Sequence, residues 1–139
     1  MSPALDSSAV PPIAGMHHVA LTVTDLARSD TWYQELFYLE RVLSEDAEDR
    51  RASVFRFPHT ALWIGLVEHP GERGKAFDPT TTGLDHVAFA VATRDDLTAW
   101  VERLDARGID HSGVIDIPSG MILNFKDPDG IQLSIFWDA

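Results

Sequence analysis

No cysteine occurs among the 139 residues. Disulfides, a thiol nucleophile and thiolate metal sites are therefore excluded, and the composition suits a reducing cytoplasm. No apolar run approaches the roughly 20 residues that a membrane-spanning helix needs. Basic side chains are scarce: 11 Lys and Arg stand against 22 Asp and Glu, a formal net charge of −11. That field repels a polyanion, so nucleic acid is not an expected partner, and the lack of a long apolar run leaves no membrane partner expected either. There is no Gly-rich phosphate loop, no Gly-x-Ser-x-Gly and no His-Glu-x-x-His. Residues 1–14, MSPALDSSAVPPIA, also lack the basic start and apolar middle of a secretory signal. They read as a flexible leader with a disordered tip.

What the chain does have is a repeat. Gly15 to Val23, GMHHVALTV, returns as Gly83 to Val91, GLDHVAFAV. One constant offset of 68 residues relates Gly15 to Gly83, His18 to His86, Val19 to Val87, Ala20 to Ala88 and Val23 to Val91, and later Trp32 to Trp100 and Leu36 to Leu104. A gapless register of that length marks two copies of one supersecondary unit. Each copy alternates: Val19, Leu21 and Val23 face one way, His18, Ala20 and Thr22 the other. Val87, Phe89 and Val91 then oppose His86, Ala88 and Ala90. Period-two alternation predicts a strand with one face in a core. The other face carries one imidazole among small side chains, and an imidazole can ligate a metal or move a proton. His17, by the same alternation, is expected on the helix side.

The rest follows in order. A helix is expected from about Leu26 to Phe37, capped by Asp25 or Thr24, with Trp32, Tyr33, Leu36 and Phe37 on its buried stripe. Strands are expected at Glu40–Leu43, Ser53–Phe57 and Thr60–Val67, with Ser44–Arg51 a charged turn and Pro58-His59 a tight one. Glu68–Thr82 is the linker. In the second half Thr93 caps a helix whose Leu97, Trp100, Val101 and Leu104 sit at i, i+3, i+4, i+7, and Gly108 ends it. Strands near Val114–Ile117 and Met121–Phe125 precede the Asp127-Pro128-Asp129-Gly130 turn, and Ile131–Trp137 is the last strand. The fold class is α+β: two tandem βαβββ modules, 15–69 and 83–137, forming a curved, cleft-like mixed sheet with the helices outside. Residues 15–139 make one domain.

Three stretches carry a family resemblance: His18-Val19-Ala20-Leu21 with Asp25-Leu26 and Trp32-Tyr33; Asp85-His86-Val87-Ala88-Phe89; and Phe125-Lys126-Asp127-Pro128-Asp129-Gly130-Ile131-Gln132-Leu133. Together they resemble the vicinal-oxygen-chelate superfamily, which includes glyoxalase I, fosfomycin-resistance enzymes, extradiol dioxygenases and bleomycin-resistance proteins. The resemblance implies a small-molecule ligand, a homodimer and, in metal-using members, a divalent ion (Fe, Mn, Zn or Ni) held by two histidines and a carboxylate. His18 and His86 match the histidines. The carboxylate normally lies four residues after the turn glycine, where this chain has Ser134.

Taking Leu62 as the counterpart of Leu133 places Trp63 opposite Ser134, so neither carboxylate position holds a carboxylate. A serine hydroxyl is a poor ligand for a hard dication, and two neutral imidazoles alone bind weakly. Glu68, His59, His69 and His111 are read as surface groups, and Lys126 as reaching water. Candidate ligand-binding residues are Trp63, Asn124, Gln132, Ser134 and Phe136; no catalytic residue is singled out. Tyr38 stands where the family usually has Gly, so that loop is expected to differ. The leading reading is a divalent-metal-dependent isomerase, lyase or oxygenase. The alternative is a metal-free drug- or metabolite-binding protein of bleomycin-resistance type, and a metal-free acid–base enzyme ranks last because no carboxylate partner for either histidine is evident.

Overall fold

Alternation in the repeated stretch becomes strands β1 (His18–Thr22) and β5 (His86–Ala90) in a computed structural model that describes residues 4, 6–71 and 74–139. After β1 come α1 (Leu26–Phe37), β2 (Glu40–Ala47), β3 (Arg50–Arg56) and β4 (Trp63–Glu68). After β5 come α2 (Arg94–Ala106), β6 (His111–Ile117), β7 (Gly120–Lys126) and β8 (Gln132–Asp138). Each half is thus a βαβββ module with its own four-stranded mixed sheet, ordered β1-β4-β3-β2 and β5-β8-β7-β6. The edge strand β1 runs parallel to β4, and β5 parallel to β8. The two sheets do not close on each other by strand pairing. The leader carries a short 3-10 turn at Ser7–Ala9 capped by Asp6; residues 1–3 and 5, including the expected disordered tip, and 72–73 of the linker lie outside the described residues.

Helix boundaries follow local chemistry. Asp25 accepts from the Arg28 amide at 3.1 Å and Thr93 from the Asp96 amide at 3.1 Å, each satisfying a free first-turn N–H. Gly108 takes φ +67 just beyond α2, the left-handed stop its sequence predicts. At the end of α1 the same conformation falls on Tyr38 (φ 55, ψ 49), whose amide bonds Gln34 O. Tyr38 adopts the left-handed conformation itself, at the position where Gly is usual in the family it resembles.

Strand lengths depart from the sequence reading on the first hairpin. The charged stretch Ser44–Arg51 is strand for most of its length, pairing Ser44↔Ser53, Glu45↔Ala52, Asp46↔Arg51 and Ala47↔Arg50. Cross-strand ion pairs, Arg50–Glu45 at 3.3 Å and Arg51–Asp46 at 3.9 Å, offset the charge on this exposed edge. The strand expected from Thr60 begins only at Trp63, because Pro58-His59 turns with His59 at φ 64 and the Thr60 hydroxyl accepts the Leu62 amide.

The helix-side faces of both sheets share one core, built on Leu21, Tyr33, Leu36, Phe37, Phe55, Ile64 and Leu66 from the first module and Leu97, Leu104, Leu123, Phe125, Leu133 and Ile135 from the second. Phe37 is its hinge pin: its ring lies 5.2–5.3 Å from Phe57, Phe89 and Trp100. Burying such a ring contributes about 1.5–3 kcal/mol. Polar ties add direction. Arg103 donates to the Leu36 and Glu35 carbonyls at 2.7 Å each, satisfying the open end of α1. At the other end of α1, Arg28 and Thr24 bond Asp129, and the buried Tyr33 hydroxyl donates to Asp127 Oδ2 at 2.8 Å. The Asp127-Pro128-Asp129-Gly130 turn thereby clasps the first module, with Asp127 Oδ1 accepting the Asp129 and Ile131 amides at 2.9 Å. This arrangement leaves the two histidine-bearing faces outward.

Candidate functional site

Strand register converts the alternation into two polar rows. In the first module His18, Trp63, Arg56 and Glu40 are consecutive partners across β1, β4, β3 and β2. In the second, His86, Gln132 and Lys126 are consecutive across β5, β8 and β7. The next rows are Ala20–Gly65–Val54 and Ala88–Ser134–Asn124. The counterpart of Trp63 is therefore Gln132, and that of Ser134 is Gly65, two residues away from the alignment drawn from Leu62 and Leu133, on the same face of the sheet. The parallel pairing of β1 with β4 and of β5 with β8 fixes this; neither position is a carboxylate under either alignment.

The rows end differently. Arg56 is ion-paired with Glu40. Because Arg41 pairs Phe55 and His111 pairs Phe125, Asp110 holds the place of Glu40 and Lys126 that of Arg56. Among the described residues Lys126 makes no ion pair, and a cavity of ≈ 490 Å³ opens there, lined by Asp110, Ser112, Asn124, Lys126 and Gln132 among others. Trp63 lines a separate pocket of ≈ 400 Å³ with Met16 and His17.

His17 does not face the helices. It precedes β1, so the alternation does not bind it; it is exposed, its ring 5.4 Å from Trp63 and its Nδ1 2.8 Å from His18 Nδ1. His86 Nδ1 lies 2.6 Å from Asp85 Oδ1. With the carboxylate as acceptor, the neutral ring carries its proton on Nδ1 and presents a lone pair at Nε2. This partner is adjacent in sequence and was still missed, because strand alternation assigns neighbours to opposite faces while Asp85 sits just outside β5. The remaining histidines and Glu68 divide. Glu68 accepts the Leu26 amide at 2.8 Å and so caps α1. His59 and His69 are exposed. His111, expected at the surface, is largely covered, its Nε2 2.7 Å from Asp105 and its Nδ1 accepting the Gly113 amide.

Ser134 is fully buried and its hydroxyl donates to Asn124 Oδ1 at 2.7 Å. His18 and His86 belong to separate sheets, and among the described residues no three His, Asp or Glu side chains are gathered where they could hold one ion. Two neutral imidazoles and an engaged hydroxyl do not fit a three-ligand divalent site. A buried carboxyl with a raised pKa lies elsewhere: burial raises Asp127 above the usual carboxylate range, against the hydrogen bonds from Tyr33, Ile131 and Asp129. Burial and the neighbouring Asp127 push the Tyr33 phenol up, so it stays a donor.

Residues 15–135 match the model of the Glyoxalase/Bleomycin resistance protein/Dioxygenase superfamily. The chain belongs to that superfamily. A crystal structure of a glyoxylase/bleomycin resistance protein/dioxygenase domain from Frankia sp. EAN1pec superposes with a TM-score of 0.86 and 34% identity, covering 92% of this chain and 100% of that one. YaeR of Escherichia coli (strain K12) is 27% identical over 125 residues, 87% of this chain and 94% of YaeR. The fosfomycin resistance protein FosX of Listeria monocytogenes is 25% identical over 99 residues, 70% of this chain and 68% of FosX. A FosX variant solved with Mn(II) and 1S,2S-dihydroxypropylphosphonic acid has the same fold at a TM-score of 0.68 and 22% identity, over 92% of this chain and 95% of that one. No helix among the described residues is long and apolar enough to cross a membrane.

Proposed function

We propose that this chain binds a small organic molecule on its outward sheet faces without a resident divalent metal, and that a second copy brings the His18 face of one chain against the His86 face of the other. One observation carries the reading: Ser134, at the place of the expected carboxylate, is buried with its hydroxyl committed to Asn124. Trp63 supplies an aromatic surface on the first face, and Phe136 sits beside Ala90 and Ile122 on the second. Exposed Leu43 and Ile115 near the outer edges suit burial between copies.

The test is a titration with bleomycin and with fosfomycin, followed by tryptophan fluorescence, once in excess EDTA and once in excess Mn(II). Quenching of equal midpoint in both is expected, from a species that sediments as a dimer. Quenching that requires Mn(II) would overturn the reading in favour of a metal-dependent enzyme of the isomerase, lyase or oxygenase class. That second reading has one observation of its own: Asp85 fixes the His86 proton on Nδ1 and frees Nε2, the orientation seen in carboxylate–histidine–metal arrangements. A stoichiometric ion in protein purified without chelator, lost in His86→Ala, would establish it.

A further inference from the structure

We infer that the cavity at the end of the His86 row takes the anionic head, carboxylate or phosphate, of the bound molecule, with Lys126 as the recognising cation; this rests on the proposed ligand-binding face.

Among the described residues Lys75, Arg94 and Lys126 are the cations outside an ion pair or a carbonyl contact, and of these Lys126 alone lines the ≈ 490 Å³ cavity. In a chain of net charge −11, Arg28, Arg41, Arg50, Arg51, Arg56 and Arg107 are all ion-paired, and Arg103 is spent on two carbonyls. Lys126 is exposed at the end of β7, where Leu123 and Phe125 alternate into the core and leave it on the outward face. In the duplicated row the equivalent cation, Arg56, is neutralised by Glu40. Here the equivalent acid, Asp110, lines the same ≈ 490 Å³ cavity without bonding Lys126.

The surrounding groups are donors in excess. Asn124 accepts the Ser134 hydroxyl through Oδ1, which leaves its NH₂ without a protein partner. Gln132, half-buried between His86 and Lys126 in the row, makes no side-chain bond among the described residues. An ammonium and two amide NH₂ groups around one cavity match an oxyanion, which accepts several hydrogen bonds at once. His86 Nε2, an acceptor one strand further, suits a hydroxyl on the same molecule. Asp110 opposes the anion, so its removal should help.

The experiment is a ¹H–¹⁵N NMR titration with benzoate, phenylphosphonate and, as neutral control, benzamide. Both anions should shift the Gln132 and Asn124 side-chain amides, and their relative affinities tell carboxylate from phosphate as the preferred head. Lys126→Gln should weaken both about tenfold, the loss of one charge-assisted bond, with the rest of the spectrum unchanged. Lys126→Arg should stay within about threefold, and Asp110→Asn should tighten binding a few-fold. Benzamide binding as tightly as benzoate, an unaffected Lys126→Gln, or shifts clustered at Arg28 and Lys75 instead would overturn the inference. If drug quenching persists in EDTA while the anions fail, the binding face stands and only the anion subsite falls.

Discussion

Removing one oxygen from Tyr33 isolates one buried bond among those that join the two modules. Tyr33 is fully buried, its ring against Trp32 at 4.9 Å and Phe37 at 6.0 Å, so Tyr33→Phe keeps the packing. It removes only the hydroxyl donated to Asp127 Oδ2 at 2.8 Å. A hydrogen bond to a charged acceptor contributes about 1.5–3 kcal/mol net, and its loss leaves a buried carboxylate oxygen without a partner. Asp127 keeps two backbone amides on its other oxygen, which limits the damage. The expected loss is about 2 kcal/mol at neutral pH, or about 8 °C in Tm for a domain of this size. Urea unfolding followed by far-UV circular dichroism gives it directly, with an unchanged m value. The bond itself is read from a double-mutant cycle: in an Asp127→Asn background the same Tyr33→Phe change should cost under about 1 kcal/mol. A loss below about 0.5 kcal/mol in the wild type, or an equal loss in both backgrounds, would refute the clasp.

Two further outcomes follow from strained or displaced groups. Asp127 has a folded pKa raised by burial, so the native state holds its proton more tightly than the unfolded chain; its stabilising contribution is complete below the ordinary carboxylate range and is lost as pH rises through the raised value. From about pH 4 toward neutrality the wild type should therefore lose stability relative to Asp127→Asn, read as the difference between urea midpoints, and a slope of the opposite sign would contradict this. Tyr38 holds φ 55 while 81% exposed, so Tyr38→Gly sacrifices little packing. It relieves about 1–2 kcal/mol of left-handed strain and returns about 0.5–1 through the freer unfolded chain, for a net gain of about 0.5 kcal/mol in the same assay; a loss would refute it.

What could be read from the sequence was what local chemistry decides. The duplicated stretch gave both edge strands, Asp25 and Gly108 bounded their helices, and the Leu97–Leu104 stripe named the buried side of α2. Tertiary contacts decided the rest. The charged hairpin Ser44–Arg51 reads as a turn by composition but pairs as strand, because solvent accommodates its charges on an open edge. Tyr38 took a conformation that glycine prefers because α1 must stop before β2. The Tyr33–Asp127 bond spans 94 residues and leaves no local pattern. The free state of Lys126 was equally hidden: it follows from Asp110 failing to reach it, which only coordinates reveal.

Duplication also explains why the two outward faces are unlike. The histidine and its small neighbours persist in both copies, so each face keeps the same shallow floor. The outer positions of the row diverged. Trp63 and the closed Arg56–Glu40 pair leave the first face apolar and locally neutral, whereas Gln132 and Lys126, outside any ion pair among the described residues, leave the second polar with an available cation. A face of either kind alone would hold a small molecule weakly, because it contacts one side only. Set against each other by a second copy, they would enclose an apolar body and an anionic head at once, with two imidazoles between. On this argument the missing carboxylate is part of the same divergence: a negative side chain at Ser134, beside Asn124 and one row from Lys126, would repel the anion those donors are placed to accept.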